Sequence, residues 1–381
     1  MFRSSRPSTR TRRLAQGSLV GVLIGAALVG CSGVVPAERE VGELSSAQSS
    51  VLLKDQRDIE VKLDAPAERI ASAVIPAPVI IAAVDGSWDR IVGINQSLLD
   101  SNKQGIISKI FPDSVTTPVI SGRDFVPNME EILAADPDLV IQWAHMGDEI
   151  LAPIESVGIP VTGLKYGTQD DLEKWVTLFG EAIGKENRAE DILDLMHAEA
   201  DEISKQIKSL NAPSPRALSL SYKETGLGVS TAKDYAQYVF DLVGATNVAE
   251  HAEVADGVAS PEQIVEWDPE IIFLSAFDPA TPEDVYADPR FAEVSAVKEK
   301  RVYRAPQGVY RWQVPCAESP LFWNWVASVT YPGQFKSDMP AKMREQIEFL
   351  YNYLMTDEDI EQVLRIDLNG QSANYDAVVK G

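Results

Sequence analysis

Asn128-Met129-Glu130-Glu131-Ile132 runs through Ala135 into Asp136-Pro137-Asp138-Leu139-Val140-Ile141. The pattern returns as Ser260-Pro261-Glu262-Gln263-Ile264, running through Trp267 into Asp268-Pro269-Glu270-Ile271-Ile272-Phe273. Both copies read Glu-x-Ile-x-x-x-Asp-Pro-acid followed by three apolar residues. Asn128 and Ser260 suit a helix N-cap, and Glu130 and Glu262 fall in the first turn, where a negative charge complements the helix dipole. Proline cannot continue a helix, so each turn stops at Asp-Pro. The apolar run beyond it reads as a buried strand. Two copies of one helix-turn-strand unit imply two similar lobes. Each lobe carries an acidic residue at an equivalent surface place, an arrangement suited to docking on a two-fold partner.

Outward from the repeat, strand and helix patterns alternate. A short strand is expected at 58–62, a first core strand at 69–74, and a helix from the Ile75-Pro76-Ala77-Pro78 loop to about Ser87. Further strands are read at 90–94, 119–120, 139–142 and 161–164. Strands separated by helices suggest a parallel sheet covered by helices. From about Asn187 to Leu210 the apolar residues Ile192, Leu195, Met196, Ala200, Ile203 and Ile207 recur at helical spacing, with no Gly or Pro inside. Asn211-Ala212-Pro213-Ser214-Pro215 then stops the helix. A single long helix between two repeated units reads as an interlobe spine; an ordinary surface helix is the alternative. The second lobe restarts with a strand at 216–221 and a helix at 233–243. Its further strands are read at 271–275 and 301–304. A helix at 318–330 and more helices to about Leu368 close it. The expected fold class is α/β: two similar α/β lobes with mainly parallel sheets, joined by one long rigid helix.

Residues 1–13 hold five arginines and no acid, and an apolar stretch from Leu14 to Val29 follows, ending Leu28-Val29-Gly30-Cys31. A basic n-region, an apolar h-region and small residues at the cleavage point make a secretory signal. The apolar run is short of the roughly 20 residues a span needs and contains glycines. Cys31 after Leu-Val-Gly resembles a bacterial lipobox, in which the cysteine becomes the lipidated first residue. The expected organisation is therefore a signal peptide at 1–30, a flexible tether at 31–58, an N-terminal lobe at 59–186, an interlobe helix at 187–211 and a C-terminal lobe at 212–381. Lipidation would leave Cys316, the other cysteine, without an intramolecular partner. The formal net charge is -23, which argues against nucleic acid as a partner.

The repeat, the long central helix and the lipobox together resemble the substrate-binding proteins of ABC importers for iron chelates, haem and cobalamin. Arg69-Ile70-Ala71-Ser72 looks like that family's first strand, and Gly244-Ala245-Thr246-Asn247-Val248-Ala249 is similar to its Gly-Gly-x-Asn-x-x segment. Ala296-Val297-Lys298 with Arg301-Val302-Tyr303, and Tyr331-Pro332-x-x-Phe335, are also similar to family phrases. The resemblance implies lobes joined by one helix, with small closure. It also implies one glutamate per lobe docking into arginines of a dimeric permease, and these fall on Glu130 and Glu262. The permease would be driven by separate ATPase subunits, and the binding protein would be a lipid-anchored monomer facing the periplasm or cell exterior.

In open α/β lobes, ligands sit beyond the carboxyl ends of the strands. Those ends present Pro76, Pro78, Gly122-Arg123-Asp124-Phe125, Trp143, His145 and Lys165-Tyr166. From the second lobe come Tyr222-Lys223, Ser275, Phe277 and Tyr310-Arg311-Trp312. Of these, Arg123, Phe125, Trp143, Tyr166, Tyr222, Tyr310, Arg311 and Trp312 are the candidate ligand contacts. Aromatics with a few cations suit a bulky anionic chelate, and Arg311 between two aromatics is the leading anion contact. A ferric siderophore fits best. Haem, with Tyr166, Tyr222, Tyr310 or His145 as axial ligand, cobalamin and molybdate remain alternatives. His145, His197 and His251 lack metal-ligand spacing, so no bare metal site and no bound cofactor are expected. There is no glycine-rich phosphate loop after the first strand and no Gly-x-Ser-x-Gly elbow, which argues against an enzyme.

Overall fold

The computed structural model describes residues 50–223, 226–277 and 279–380. The signal segment and Cys31 lie outside them. A hairpin comes first: β1 (Val51–Lys54) pairs antiparallel with β2 (Glu60–Leu63). Of the tether expected to reach residue 58, Val51–Lys54 are instead folded as a strand. Leu53, Val61 and Leu63 alternate into the core. Buried Asp55 takes the Arg57 guanidinium at 2.6 Å and the Gly163 amide at 2.8 Å, fastening the hairpin to the lobe.

The N-terminal lobe follows as β3 (Ile70–Ser72), α1 (Ala77–Asp85), β4 (Ile91–Asn95), α2 (Gln96–Asn102), α3 (Ile107–Ile110), β5 (Val119–Ser121), α4 (Met129–Ala135), β6 (Leu139–Trp143), α5 (Ala152–Ser156), β7 (Val161–Leu164) and α6 (Gln169–Ile183). Its sheet has the order β5-β4-β3-β6-β7 and every pair is parallel. Then α7 (Glu186–Leu210) crosses to the second lobe, burying Ala189, Ile192, Met196 and Ile203.

The C-terminal lobe contains β8 (Arg216–Lys223), β9 (Gly226–Val229), α8 (Tyr235–Leu242), β10 (Thr246–Asn247), β11 (Val258–Ala259), α9 (Pro261–Trp267), β12 (Ile271–Leu274), α10 (Pro282–Ala287), α11 (Ser295–Lys298) and β13 (Val302–Arg304). It closes with α12 (Ser319–Thr330), α13 (Met339–Tyr351), α14 (Asp357–Val363), α15 (Ile366–Asn369) and α16 (Tyr375–Lys380). Its sheet runs β11-β9-β8-β12-β13, with β10 also on β8. β8, β12 and β13 are parallel, whereas β9 pairs antiparallel with β8 and β11.

Both repeats fold alike. Asn128 caps α4 through the Glu130 and Glu131 amides, and Ser260 caps α9 in a reciprocal box with Gln263. Asp136 and Asp268 both end their helices in the left-handed conformation, at φ 46° and 41°. The packing of the two lobes differs. The outer face of the second sheet has a cluster of its own around Leu218, Leu220, Ile272 and Val302. Its inner face joins one core that continues through α12 and α13 into the first lobe. α12 is buried almost all round, as a helix apolar on every side must be. On α7, Glu199 takes Lys342 at 2.7 Å and Asn324 at 2.7 Å, tying the crossing helix to α13 and α12.

A second tie joins the lobes at Asp359, whose carboxylate accepts from Lys109 of α3 at 2.6 Å, the Thr356 amide and hydroxyl, and the Tyr353 hydroxyl. Burial alone would raise this acid, but the hydrogen bonds from Lys109, Thr356 and Tyr353 outweigh it and hold the group at about 2. A carboxyl depressed on folding contributes stability that is present above its ordinary range and lost as pH falls toward 2. Asp359→Asn is expected to cost on the order of 2 kcal/mol at pH 7 and to remove that share of the acid sensitivity between about pH 4 and 2. Urea unfolding at several pH values checks both; equal stability of the two proteins at pH 7 would contradict the assignment.

Candidate functional site

Parallel strands in each lobe deliver their carboxyl ends to one edge, and the loops beyond them face each other. From the first lobe come Ile75 and Pro76 after β3, Phe125 after β5, Trp143 and His145 at the end of β6, and Tyr166 after β7. Phe277 beyond β12, with Tyr310 and Val314 beyond β13, face them from the second. They enclose a cavity of about 320 Å³. Trp143 is its centrepiece. Its ring meets Phe125, His145, Tyr166 and Trp175 edge-on, with centroids 5.2 to 6.3 Å away. Such edge-to-face packing fixes the rings without polar contacts, so the wall is stiff and apolar. Phe125 reaches its place from a left-handed backbone at φ 65°.

Arg311 does not itself line the cavity but stacks against two rings that do. It is 6% exposed, and its guanidinium lies 4.4 Å from the Phe277 ring centre and 5.8 Å from that of Tyr310. Its Nε and Nη1 have no hydrogen-bond partner among the described residues, and neither has the Tyr310 hydroxyl. Burial pushes the Tyr310 phenol upward, and the adjacent guanidinium offsets only part of that. Buried donors without acceptors are costly.

One buried acid shapes the loop that presents Tyr310 and Arg311. Glu318 accepts from the Val309 amide (3.1 Å), the Tyr310 amide (3.1 Å), the Trp312 indole (2.7 Å) and the Tyr351 hydroxyl (3.2 Å). Glycine at 308 is required by the same contact: a Cβ there would stand 2.0 Å from Glu318 Oε2. Nearby Cys316 is buried, and burial holds its thiol well above the usual range.

The structure gathers Phe125, Trp143, Tyr166 and Tyr310 around one cavity, with Arg311 stacked at its edge. It does not bring the other candidates there. Trp312 is fully buried beneath the loop, where its indole donates to Glu318. Arg123 is exposed and paired with Asp100 at 2.7 Å, outside the cavity lining. Tyr222 has the strand parity of Leu220 and packs on the outer face of the second sheet. Pro78 is buried within α1. His197 and His251 are exposed beside Glu173 and Glu250. Among the described residues no group of three or more His, Cys, Asp or Glu is placed to hold a metal ion. Glu130 and Glu262 stand exposed on the first turns of α4 and α9.

A second cavity, about 280 Å³, opens behind Phe277 and Tyr166 into the C-terminal lobe, and Ser275 belongs to it. Sequence reading missed it. The signal was present in Ala217-Leu218-Ser219-Leu220-Ser221, a strand whose alternation puts small polar residues on one buried face.

Comparison with known proteins agrees with this architecture. A family described as periplasmic binding protein matches residues 76–308. A periplasmic solute binding protein from Veillonella parvula superposes with a TM-score of 0.76 at 30% identity, covering 84% of this chain and 98% of that one. The molybdate-bound MolA of Haemophilus influenzae superposes with a TM-score of 0.70 at 20% identity, over 80% of this chain and 99% of that one. The iron-uptake system-binding protein of Bacillus subtilis is 25% identical over 246 residues, 60% of this chain and 75% of the relative.

Glu318 also sets a pH dependence. Burial raises its carboxyl and outweighs the four donors, leaving it at about 7. An acid raised on folding binds its proton more tightly in the folded protein, so its contribution is complete below about pH 4.5 and is lost as pH rises through 7. The wild type is expected to lose roughly 3 kcal/mol between pH 5 and 8 relative to Glu318→Gln, which mimics the protonated form. Denaturant titrations across that window check it, and parallel pH profiles for the two proteins would refute it.

Proposed function

Because this chain belongs to the periplasmic binding protein family and so is the substrate-binding component of an ABC transporter rather than an enzyme, we propose that its cargo is a ferric siderophore or similar iron chelate. The observation that carries the reading is Arg311: a buried guanidinium, stacked on Phe277, with two donor nitrogens uncommitted beside an aromatic cavity. Flat or bulky faces of a chelate match the walls around Trp143, and its anionic oxygens match Arg311. The iron-uptake relative supports the same class of cargo. Molybdate is the second reading, favoured by the MolA relative and by the same uncommitted donors. A bare tetraoxoanion, however, would leave most of the aromatic wall without a partner.

Capture is followed by delivery. Cys31 carries the lipid, the segment before residue 50 is the tether, and the protein works as a monomer outside the cell membrane. Glu130 and Glu262 meet cationic residues on the two halves of the permease. Two acids at equivalent places on two similar lobes suit a two-fold surface, and such pairs steer association. ATP hydrolysis in separate subunits drives release.

Titration of the purified chain with ferric chelates, haem, cobalamin and molybdate tests the cargo, because Trp143 in the cavity wall reports binding by quenching. Arg311→Ala is expected to weaken an anionic chelate by roughly tenfold or more, the scale of a lost charge-assisted hydrogen bond; unchanged affinity would remove Arg311 from the site. Glu130→Lys with Glu262→Lys is expected to abolish cellular uptake while ligand affinity stays intact. Lost affinity in that double variant would contradict the docking role.

A further inference from the structure

The second cavity lies on the inner face of the C-terminal sheet. Leu218 and Leu220 of β8 belong to the outer cluster, whereas Ala217 belongs to the inner core, so Ser219 and Ser221 face inward. Ser219 lies in register beside Phe273, and Ser221 beside Gly228. Strands covered on both faces are usually near-continuous in Val, Ile and Leu. Here two serines and a glycine occupy neighbouring positions, and the space they leave, bounded by α8 on the far side, is about 280 Å³. Close-packed interiors do not keep voids of that size, and a polar lining marks this one as wet.

The hydrogen-bonding groups are held in place. Ser275 Oγ accepts from the Phe277 amide at 3.1 Å and from Gln313 Nε2 at 2.8 Å, and neither bond uses its own proton. Gln313 Oε1 accepts from the Ala276 amide at 2.8 Å, which fixes the side-chain amide. Ser221 Oγ reaches the Gly228 carbonyl only at 3.5 Å, a weak contact that a better acceptor displaces. Interleaved with these hydroxyls are the rings of Phe273, Tyr235, Phe240 and Phe322. Among the described residues no Lys, Arg or His lines the chamber, and its one charged residue is Asp234, whose carboxylate disfavours an anion. Hydroxyls to bond and C–H faces to lay on aromatic rings are the properties that fit.

The chamber and the aromatic cleft share Tyr166, Phe277 and Val314, so one ligand can occupy both. We propose that the chamber takes a neutral, polyhydroxylated arm of glycosyl type, belonging to a ligand whose charged head sits in the cleft beside Arg311. The proposal rests on the cleft reading above and narrows the cargo to a two-part molecule.

The test compares a ferric tris-catecholate with the same chelate bearing glucosyl groups, titrated into the full chain by calorimetry. The wild type is expected to bind the glucosylated chelate at least tenfold more tightly. Ser219→Phe fills the chamber and is expected to erase that preference while the bare chelate binds as before. Ser221→Ala, which removes a hydroxyl without adding volume, should reduce the preference in part and guards against misfolding of the larger substitution. Equal affinities in the wild type, or a preference that survives Ser219→Phe, would overturn the proposal. If neither chelate binds, saturation-transfer NMR with methyl glucoside decides. Transfer in the wild type and none in Ser219→Phe keeps the chamber and discards only the chelate reading; no transfer in the wild type discards the chamber.

Discussion

The two lobes depend on one small device made twice: an arginine that grips the end of a helix and starts the neighbouring strand. In the first lobe, Arg69 Nε donates to the carbonyl of Asp136 at 2.8 Å and Nη2 to that of Ala135. In the second, Arg216 donates to the Asp268 carbonyl at 2.7 Å. The acid two residues on closes the other side, with Asp138 accepting from the Arg69 amide and Glu270 from the Arg216 amide. The last carbonyls of a helix have no internal partner, and the proline that follows forbids a further turn. The arginine satisfies those carbonyls and brings β6 beside β3, and β12 beside β8, in register. The strands of both lobes then release their chains at one edge, where the cleft forms.

Equivalence stops at the packing. The first sheet is parallel throughout, whereas the second adds the antiparallel β9 and β11 and gives its inner face to a core shared with α12 and α13. The ties that cross between lobes go well beyond α7. The Ile106 amide donates to the Gly308 carbonyl, Gln307 reaches Ser101, and Lys109 reaches Asp359. Several of these touch the segment that carries Tyr310 and Arg311. Any movement of one lobe on the other has to strain the ligand loop itself, which couples occupancy of the cleft to the relation between the lobes.

Periodicity made most of this legible. The parallel strands and α7 stand within a residue or two of where apolar spacing puts them, because each buries a full face or stripe. β9 escaped because Gly226-Leu227-Gly228-Val229 has no volume to alternate, and β1 because it is four residues long among polar neighbours, whereas its partner β2 overlaps the short strand expected at 58–62. Parity alone would have sent Tyr222 to the outer face with Leu220. The Arg311 and Trp312 pair was not decidable in advance: a loop has no period, and which of two adjacent side chains turns inward was set by Glu318. That acid was itself invisible among 57 acidic residues. Only Gly308 leaves room for it.

For the anionic cargo proposed above, a net charge of -23 poses a conflict that distance resolves. Surface charges are screened over about 8 Å at physiological ionic strength, so the acidic body repels an approaching anion only weakly. Beside the cleft stands Arg311, already out of water and held over Phe277. Most of its desolvation has been incurred in folding, before any ligand arrives. An incoming acceptor regains hydrogen bonds for Nε and Nη1 without that cost, while a cation of ordinary exposure would first have to give up its hydration. On the proposed reading, the stability given up by leaving Arg311 Nε and Nη1 without partners among the described residues becomes available as affinity for a ligand that presents oxygen at the edge of an aromatic face.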